Sequence, residues 1–339
     1  MGAPPHALPC VAHKYAFRNV QERVLTQHFA GFDIGGTKTL AVVVDDAGEL
    51  VSERRAARPR GGDETVAQLC GLVAEMGADL ETEICAVGIG IAGAISRRGS
   101  VQFSPNIPEL VDFPLQELLT DCVKVPIIVD NDATAATWAE HQLGAGQGVD
   151  DLLYVALGTG IGTGFVLDRR LYRGANGFAG ESGHIVIDRH GEPHISGVRG
   201  PWEMYASGNG LGALARSFAA QGRFAAGITY AGSVDAIRGE HVGLALANGD
   251  EDALALLDAF GAHVAVGATN LIYVLDPQRL VIGGGLVELG EPLRASIERH
   301  VRQTTLGGAY RPAVEIVLAE LGSRSGALGA AMLARDLVS

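Results

Sequence analysis

Residues 127–136 read Ile-Ile-Val-Asp-Asn-Asp-Ala-Thr-Ala-Ala. An apolar run that meets Asp130-Asn131-Asp132 and continues into an Ala-rich stretch predicts a buried strand turning directly into a helix. Such a junction sets a carboxylate at the mouth of a cleft, beside the positive end of a helix dipole. Asp132 is therefore expected to stay ionised and to accept a proton from a substrate hydroxyl. Its blander role is to cap the helix, and the two roles are compatible. Glycine turns lie on both sides of it in sequence, at Gly35-Gly36, Gly158-Thr159-Gly160 and Gly283-Gly284-Gly285. Backbone N–H groups in such turns suit phosphate. The chemistry these residues suit is phosphoryl transfer centred on Asp132.

The elements that must position them can be read along the chain. Phe29 to Ile34 is a strand, Gly35 to Lys38 a turn and Thr39 to Val44 a second strand; Leu50 to Arg54 is a third. Thr65 to Met76 is a helix, and Cys85 to Ile91 is a nearly continuous apolar strand, as in a sheet covered on both faces. Pro105 keeps its neighbours out of helix, so Asn106 sits on a fixed loop. A short helix over Leu115 to Leu119 leads to the Ile127 strand. The second half repeats the opening. Leu152 to Leu157, the turn 158–160 and Ile161 to Leu167 form another strand, glycine turn and strand. Gly35 to Asp45 and Gly158 to Asp168 have the same spacing, and Ala156 stands where the first copy has Asp33. Helices follow at Asn209 to Ala220, Val234 to Ala247 and Asp252 to Leu275. Then come the strand Arg279 to Ile282 and helices Pro292 to Gln303 and Ser325 to Leu337. Strands alternating with helices, duplicated around a cleft, imply two α/β domains.

Composition narrows the class. A chain of 339 residues, 47% hydrophobic, can bury two cores. A net charge of -13 argues against a nucleic-acid partner, which demands a basic face. Cys10, Cys70, Cys85 and Cys122 show no C-x-x-C pair or compact framework, so all four read as reduced thiols. No apolar run reaches the roughly 20 residues of a membrane helix, and the first residues lack a signal-peptide core. A cytoplasmic protein with no membrane association is expected. Residues 1–28 read as a loose extension, too short for a helix-turn-helix module.

Several motifs together resemble the ROK family of sugar kinases and sugar-responsive repressors, within the actin-like ATPase superfamily. The carriers are Asp33-Ile34-Gly35-Gly36-Thr37-Lys38, Pro105-Asn106, Asn131-Asp132 and Gly158-Thr159-Gly160-Ile161-Gly162. With them stand Glu181-Ser182-Gly183-His184, Glu203 with Ser207-Gly208, and Gly283-Gly284-Gly285. The resemblance covers about residues 29–338. It implies two actin-like (ribonuclease H-like) α/β domains flanking a central cleft. The smaller would span 29–130, with the C-terminal helix 325–338 packing back on it, and the larger 131–324.

The resemblance also implies roles. Asp132 would be the general base that takes the proton of a sugar hydroxyl attacking the γ-phosphate of ATP. Gly35, Gly36, Thr37, Lys38, Gly158, Thr159 and Gly160 would line the phosphates, and Gly283, Gly284 and Gly285 the adenosine. Asp33 would hold Mg²⁺ through water. Asn106, Asn131, Asp132, Glu181, His184 and Glu203 would bind the sugar. The implied enzyme is an ATP- and Mg²⁺-dependent hexose kinase of the glucokinase type, a homodimer binding only sugar and nucleotide. Phosphorylation of fructose or an N-acetylhexosamine is the alternative, and a non-catalytic sugar sensor the competing class.

One departure stands out. Family members usually carry C-x-C-G-x-x-G-C-x-E, whose three cysteines join the histidine in binding structural zinc. Here the cysteine positions are His194, Ser196 and Pro201, followed by Glu203. Proline offers no ligand and serine a poor one, so no zinc site is expected, with His184, His194 and His190 the only imidazoles left nearby.

Overall fold

The computed structural model describes residues 26–80 and 83–339. Most of the extension expected over 1–28, and Cys10, lie outside the described residues, while His28 already belongs to the first strand. Strands β1 (His28–Ile34), β2 (Lys38–Val44) and β3 (Leu50–Ala57) form a meander, and helix α1 (Gly62–Ala78) crosses to β4 (Ile84–Ile91). A small hairpin, β5 (Ala94–Ile95) and β6 (Val101–Phe103), precedes α2 (Leu115–Thr120), β7 (Ile127–Asn131) and α3 (Asp132–Leu143). The first sheet has the order β3-β2-β1-β4-β7.

The second half starts with β8 (Leu152–Leu157), β9 (Ile161–Leu167) and β10 (Arg170–Tyr172). A long insertion carries α4 (Glu203–Ala206), α5 (Gly208–Ala220), α6 (Ala225–Ala231), α7 (Gly239–Ala247) and α8 (Glu251–Leu275). Strand β11 (Arg279–Gly283), helix α9 (Gly290–Thr304), strand β12 (Glu315–Leu318) and helix α10 (Ser325–Val338) complete it. The second sheet has the order β10-β9-β8-β11-β12. It repeats the first sheet's topology, as the duplicated glycine hairpin implied. In register, Asp33 faces Gly90 on β4 and Ala156 faces Gly283 on β11, so the two positions are structural equivalents.

The period of two along β1 explains its unbroken apolar character. Ala30, Phe32 and Ile34 join a core with Leu69 and Met76 of α1, whereas Phe29 packs with Ala327, Ala331 and Met332 of α10. Each buried large side chain contributes roughly 1.5–3 kcal/mol. Helix α10 approaches closely because glycine meets backbone. A Cβ on Gly31 or Gly88 would run into the carbonyls of Ala327 or Ala330, and one on Gly329 into that of Ala135 in α3. The two linking helices are exchanged: α3 leaves the first sheet and packs on β8 and β9, while α10 leaves the second and packs on the first.

Four readings need correction. Cys70 and Cys122 are not separate thiols but a disulfide, because α1 and the end of α2 bring their Cα atoms to 6.0 Å across 52 residues of sequence. Cys85 is free. The helix read from Val234 begins at Gly239, and a separate α6 precedes it. Strand β3 runs on to Ala57, and the short strands β10 and β12 were not read at all. Finally, α8 is long and apolar enough to cross a membrane. Its Leu256, Phe260, Val264 and Ile272 instead fill the second core, which is the commoner fate of such a helix.

Candidate active site

The β7–α3 junction is as the sequence reads, with the cap shifted by one. Asn131, not Asp132, is the N-cap: its side-chain oxygen accepts the Thr134 N–H at 3.0 Å. Its amide also donates to Gly93 O at 3.1 Å. Asn131 thus holds the helix start and Gly93 together, and its side chain also hydrogen-bonds the Asp132 carboxyl. Asp132 opens the helix, and its Oδ1 accepts the Ala133 N–H at 2.8 Å. Burial pushes its carboxyl above the ordinary range, against the opposing pull of these backbone donors. The dipole therefore does not win outright, and the site raises the basicity of Asp132. Asp33 lies at the end of β1 against Gly326 at the start of α10. Burial first, and the Asp132 carboxylate second, push it up to about 7. Two carboxylates that disfavour each other's charge are a setting a cation relieves.

Each glycine hairpin closes on itself through a backbone hydrogen bond. Gly35 N–H donates to Lys38 O, while Thr37 and Lys38 are exposed at the start of β2. In the second copy Gly158 N–H donates to Gly160 O, and Gly158 O accepts the Gly208 N–H of α5 at 2.7 Å. Ser207 caps that helix by accepting the Gly210 N–H. The triple glycine divides its labour. Gly283 lies against the Tyr154 ring, and Gly284, with φ +79°, lies against the Leu157 backbone. Gly285 has nothing within 4 Å of where a side chain would start.

Of the residues assigned to sugar, Asn106 is exposed beside the first turn, where its carbonyl would lie 2.9 Å from a Cβ on Gly36. Glu181, His184 and Glu203 come together although they are 22 residues apart. His184 Nε2 is 3.7 Å from Glu181 Oε2, and its Nδ1 is 3.5 Å from Glu203 Oε1. Burial pushes the Glu181 carboxyl up, with His184 opposing. His194 joins them, its Nε2 3.3 Å from Glu203 Oε1. His190 does not; it bonds Arg189 and the Asp188 carboxylate.

The sequence model of the ROK family matches residues 29–337. The chain belongs to the ROK family. It is 36% identical over 310 residues to a glucokinase of Streptomyces coelicolor, an alignment covering 90% of this chain and 97% of that one. An N-acetylmannosamine kinase of Yersinia pseudotuberculosis is 31% identical, covering 89% and 97%. Among solved structures, a ROK family glucokinase from Streptomyces griseus in complex with glucose and AMPPNP superimposes with a TM-score of 0.80. That match has 38% identity and covers 91% of this chain and 99% of that one. The fold is thus the two-domain actin-like ATPase fold that the resemblance implied.

Against the ROK motifs, the structure adds three residues that sequence reasoning missed. Arg58, nearly buried, donates to Gly36 O and pairs with Glu109 at 2.8 Å, tying the first glycine turn to the loop that carries Asn106. Arg173 binds the buried carboxylate of Asp130 at 2.5 Å, fixing the strand before Asp132 to the loop that leads to Glu181. Glu140, wholly buried in α3, accepts N–H groups from Ala145, Glu320 and Leu321 and joins the two linking helices. A charged residue inside an apolar pattern was the only available signal, and for Glu140 it was there to be read.

Proposed function

We propose that this chain phosphorylates a hexose with ATP, with glucose as the acceptor. The observation that carries the reading is the position of Asp132, a carboxylate of raised basicity at a helix start, close enough to Asp33 to act on its charge. The sugar hydroxyl attacks the γ-phosphorus, its proton passes to an Asp132 oxygen, and the bond to the β-phosphate oxygen breaks to release ADP. Phosphoryl transfer needs little covalent help, so placement and charge neutralisation carry most of the rate.

Within this reading Asn106, Asn131, Glu181, His184 and Glu203 hold the sugar. The turns at 35–38 and 158–160 hold the phosphates, and the open space at Gly285 admits the adenosine. Asp33 suits Mg²⁺ held through water, since its carboxylate sits beside a second carboxylate; the ion would neutralise the phosphate charge. The units 29–130, with 325–338, and 131–324 close on the sugar and exclude water. We also infer a cytoplasmic homodimer.

Similarity to an N-acetylmannosamine kinase favours one second reading, an N-acetylhexosamine acceptor. A panel of glucose, fructose, mannose and N-acetylhexosamines with ATP and Mg²⁺, followed by ADP release, separates them. The highest kcat/KM is expected on glucose. A preference for an acetylated sugar replaces the acceptor, and near-zero turnover on all sugars favours a sensor.

A further inference from the structure

Between β10 and α4 the chain folds back as a strap whose ends meet where Trp202 N–H donates to Ile185 O at 2.8 Å. Trp202 anchors the far end: it is fully buried, and its indole N–H donates to His263 O on α8 at 3.0 Å. The near end, with His184 and Glu203, is held by a chain of polar contacts. Ser196 donates its backbone N–H to His194 Nδ1 at 3.2 Å, and its hydroxyl meets the same nitrogen at 2.8 Å. A backbone amide can only donate, so this contact goes with the tautomer that has its lone pair on Nδ1 and its proton on Nε2. Nε2 lies 3.3 Å from Glu203 Oε1, and the same oxygen is 3.5 Å from His184 Nδ1. The other oxygen, Oε2, accepts the Ile161 N–H of the second glycine hairpin at 3.4 Å. Both partners are shielded, with side-chain exposures of 18% for His194 and 19% for Glu203.

We propose that His194 is a positioning residue for the sugar subsite. Held by Ser196, its Nε2–H fixes Glu203, and through Glu203 the His184 ring and the hairpin at Ile161. It thereby does with protein atoms what a zinc ion would do in sequences with the full cysteine motif. The inference rests on the kinase reading. Its rival is a divalent ion shared by His184, His194 and Glu203, whose ligand atoms lie within 4.8 Å of one another. Against it, two of the three cysteine positions offer little to a metal: Pro201 has no side-chain donor and Ser196 is a poor ligand.

The test compares full-length wild type with His194→Ala and His194→Gln, whose amide nitrogen can replace the Nε2–H donor. In His194→Ala the sugar KM is expected to rise about tenfold, with the ATP KM within about twofold, and His194→Gln to recover most of the loss. Elemental analysis of wild type should find well under one zinc per chain. Hydrogen exchange gives a readout that needs no turnover. The Ile161 amide should exchange faster in His194→Ala and be restored in His194→Gln. An unchanged sugar KM or unchanged Ile161 exchange in His194→Ala overturns the proposal. So does about one zinc per wild-type chain that the variant loses. A wild type inert on every sugar instead defeats the kinase reading, and the Ile161 exchange still decides the role of His194.

Discussion

The two halves share one topology and have divided the chemistry between them. In both, a glycine hairpin joins the first two strands, and the central strand is flanked by a parallel partner. The first half places Asp33 at the end of its central strand and Asp132 at the start of the helix after its last one. The second half has Ala156 at the equivalent of Asp33 and no carboxylate in the first turn of α10. What it adds is the insertion between β10 and β11, which carries Glu181, His184, His194 and Glu203. The first half crosses the same gap with α1 alone. Duplication supplied two glycine hairpins, and asymmetry supplied a pair of carboxylates on one side and a long insertion on the other.

The sharpest way to break this comparison is Asp132→Asn. The amide keeps the volume, and Asn131 remains the cap, so folding should change little. The proton acceptor is lost, and kcat should fall about 10²–10⁴-fold, or roughly 3–5 kcal/mol. ATP affinity should hold. Retention of more than about a tenth of kcat, with chemistry rate-limiting, would remove Asp132 as the base.

Next in size is the disulfide, which staples α1 to the end of α2 in the first half only. Cys70→Ser should cost about 2–4 kcal/mol in chemical denaturation. The accompanying rise in hydrogen exchange should centre on α1 and α2 and spare α5 to α8. Wild-type denaturation curves that coincide with and without reductant would show that the bond contributes nothing.

Asp33→Asn tests the other carboxylate. An acid whose pKa rises on folding holds more protons folded than unfolded, so it lowers stability as pH climbs from its ordinary 3.8 to about 7. The variant should therefore gain on wild type by up to roughly 4 kcal/mol at pH 7.5 and by almost nothing at pH 4. Thermal melts without metal or nucleotide measure this. A gain independent of pH would mean that charge is not the cause. Activity should fall in the same variant.

The smallest effect separates two adjacent glycines. Gly285→Ala fills the open space that the proposed reading gives to the nucleotide, so the ATP KM should rise about fivefold, near 1 kcal/mol, at unchanged melting temperature. Gly284→Ala should do the reverse: positive φ and the Leu157 backbone make it lower the melting temperature. If both behave alike, the open space at Gly285 has no role in binding.

The local pattern of the chain determined the central strands of both sheets, both glycine hairpins, the β7–α3 junction and the duplication. Each is written within about twenty residues, by hydrophobic period and by turn residues that have few conformational alternatives. Asp132 was legible for that reason, as one carboxylate at one strand end. Tertiary structure alone decided what depends on distant segments meeting. It paired Cys70 with Cys122, set Arg58 on Gly36 and Arg173 on Asp130, and added the edge strand β12, whose four residues have no meaning until β11 lies beside them. It also pushed Asp33 and Asp132 upward, because desolvation depends on everything packed around a group rather than on its neighbours in sequence. His194 shows the division most plainly. The sequence says which residues stand where cysteines could have been; only the fold brings its ring to Glu203 and the Ser196 amide to its Nδ1.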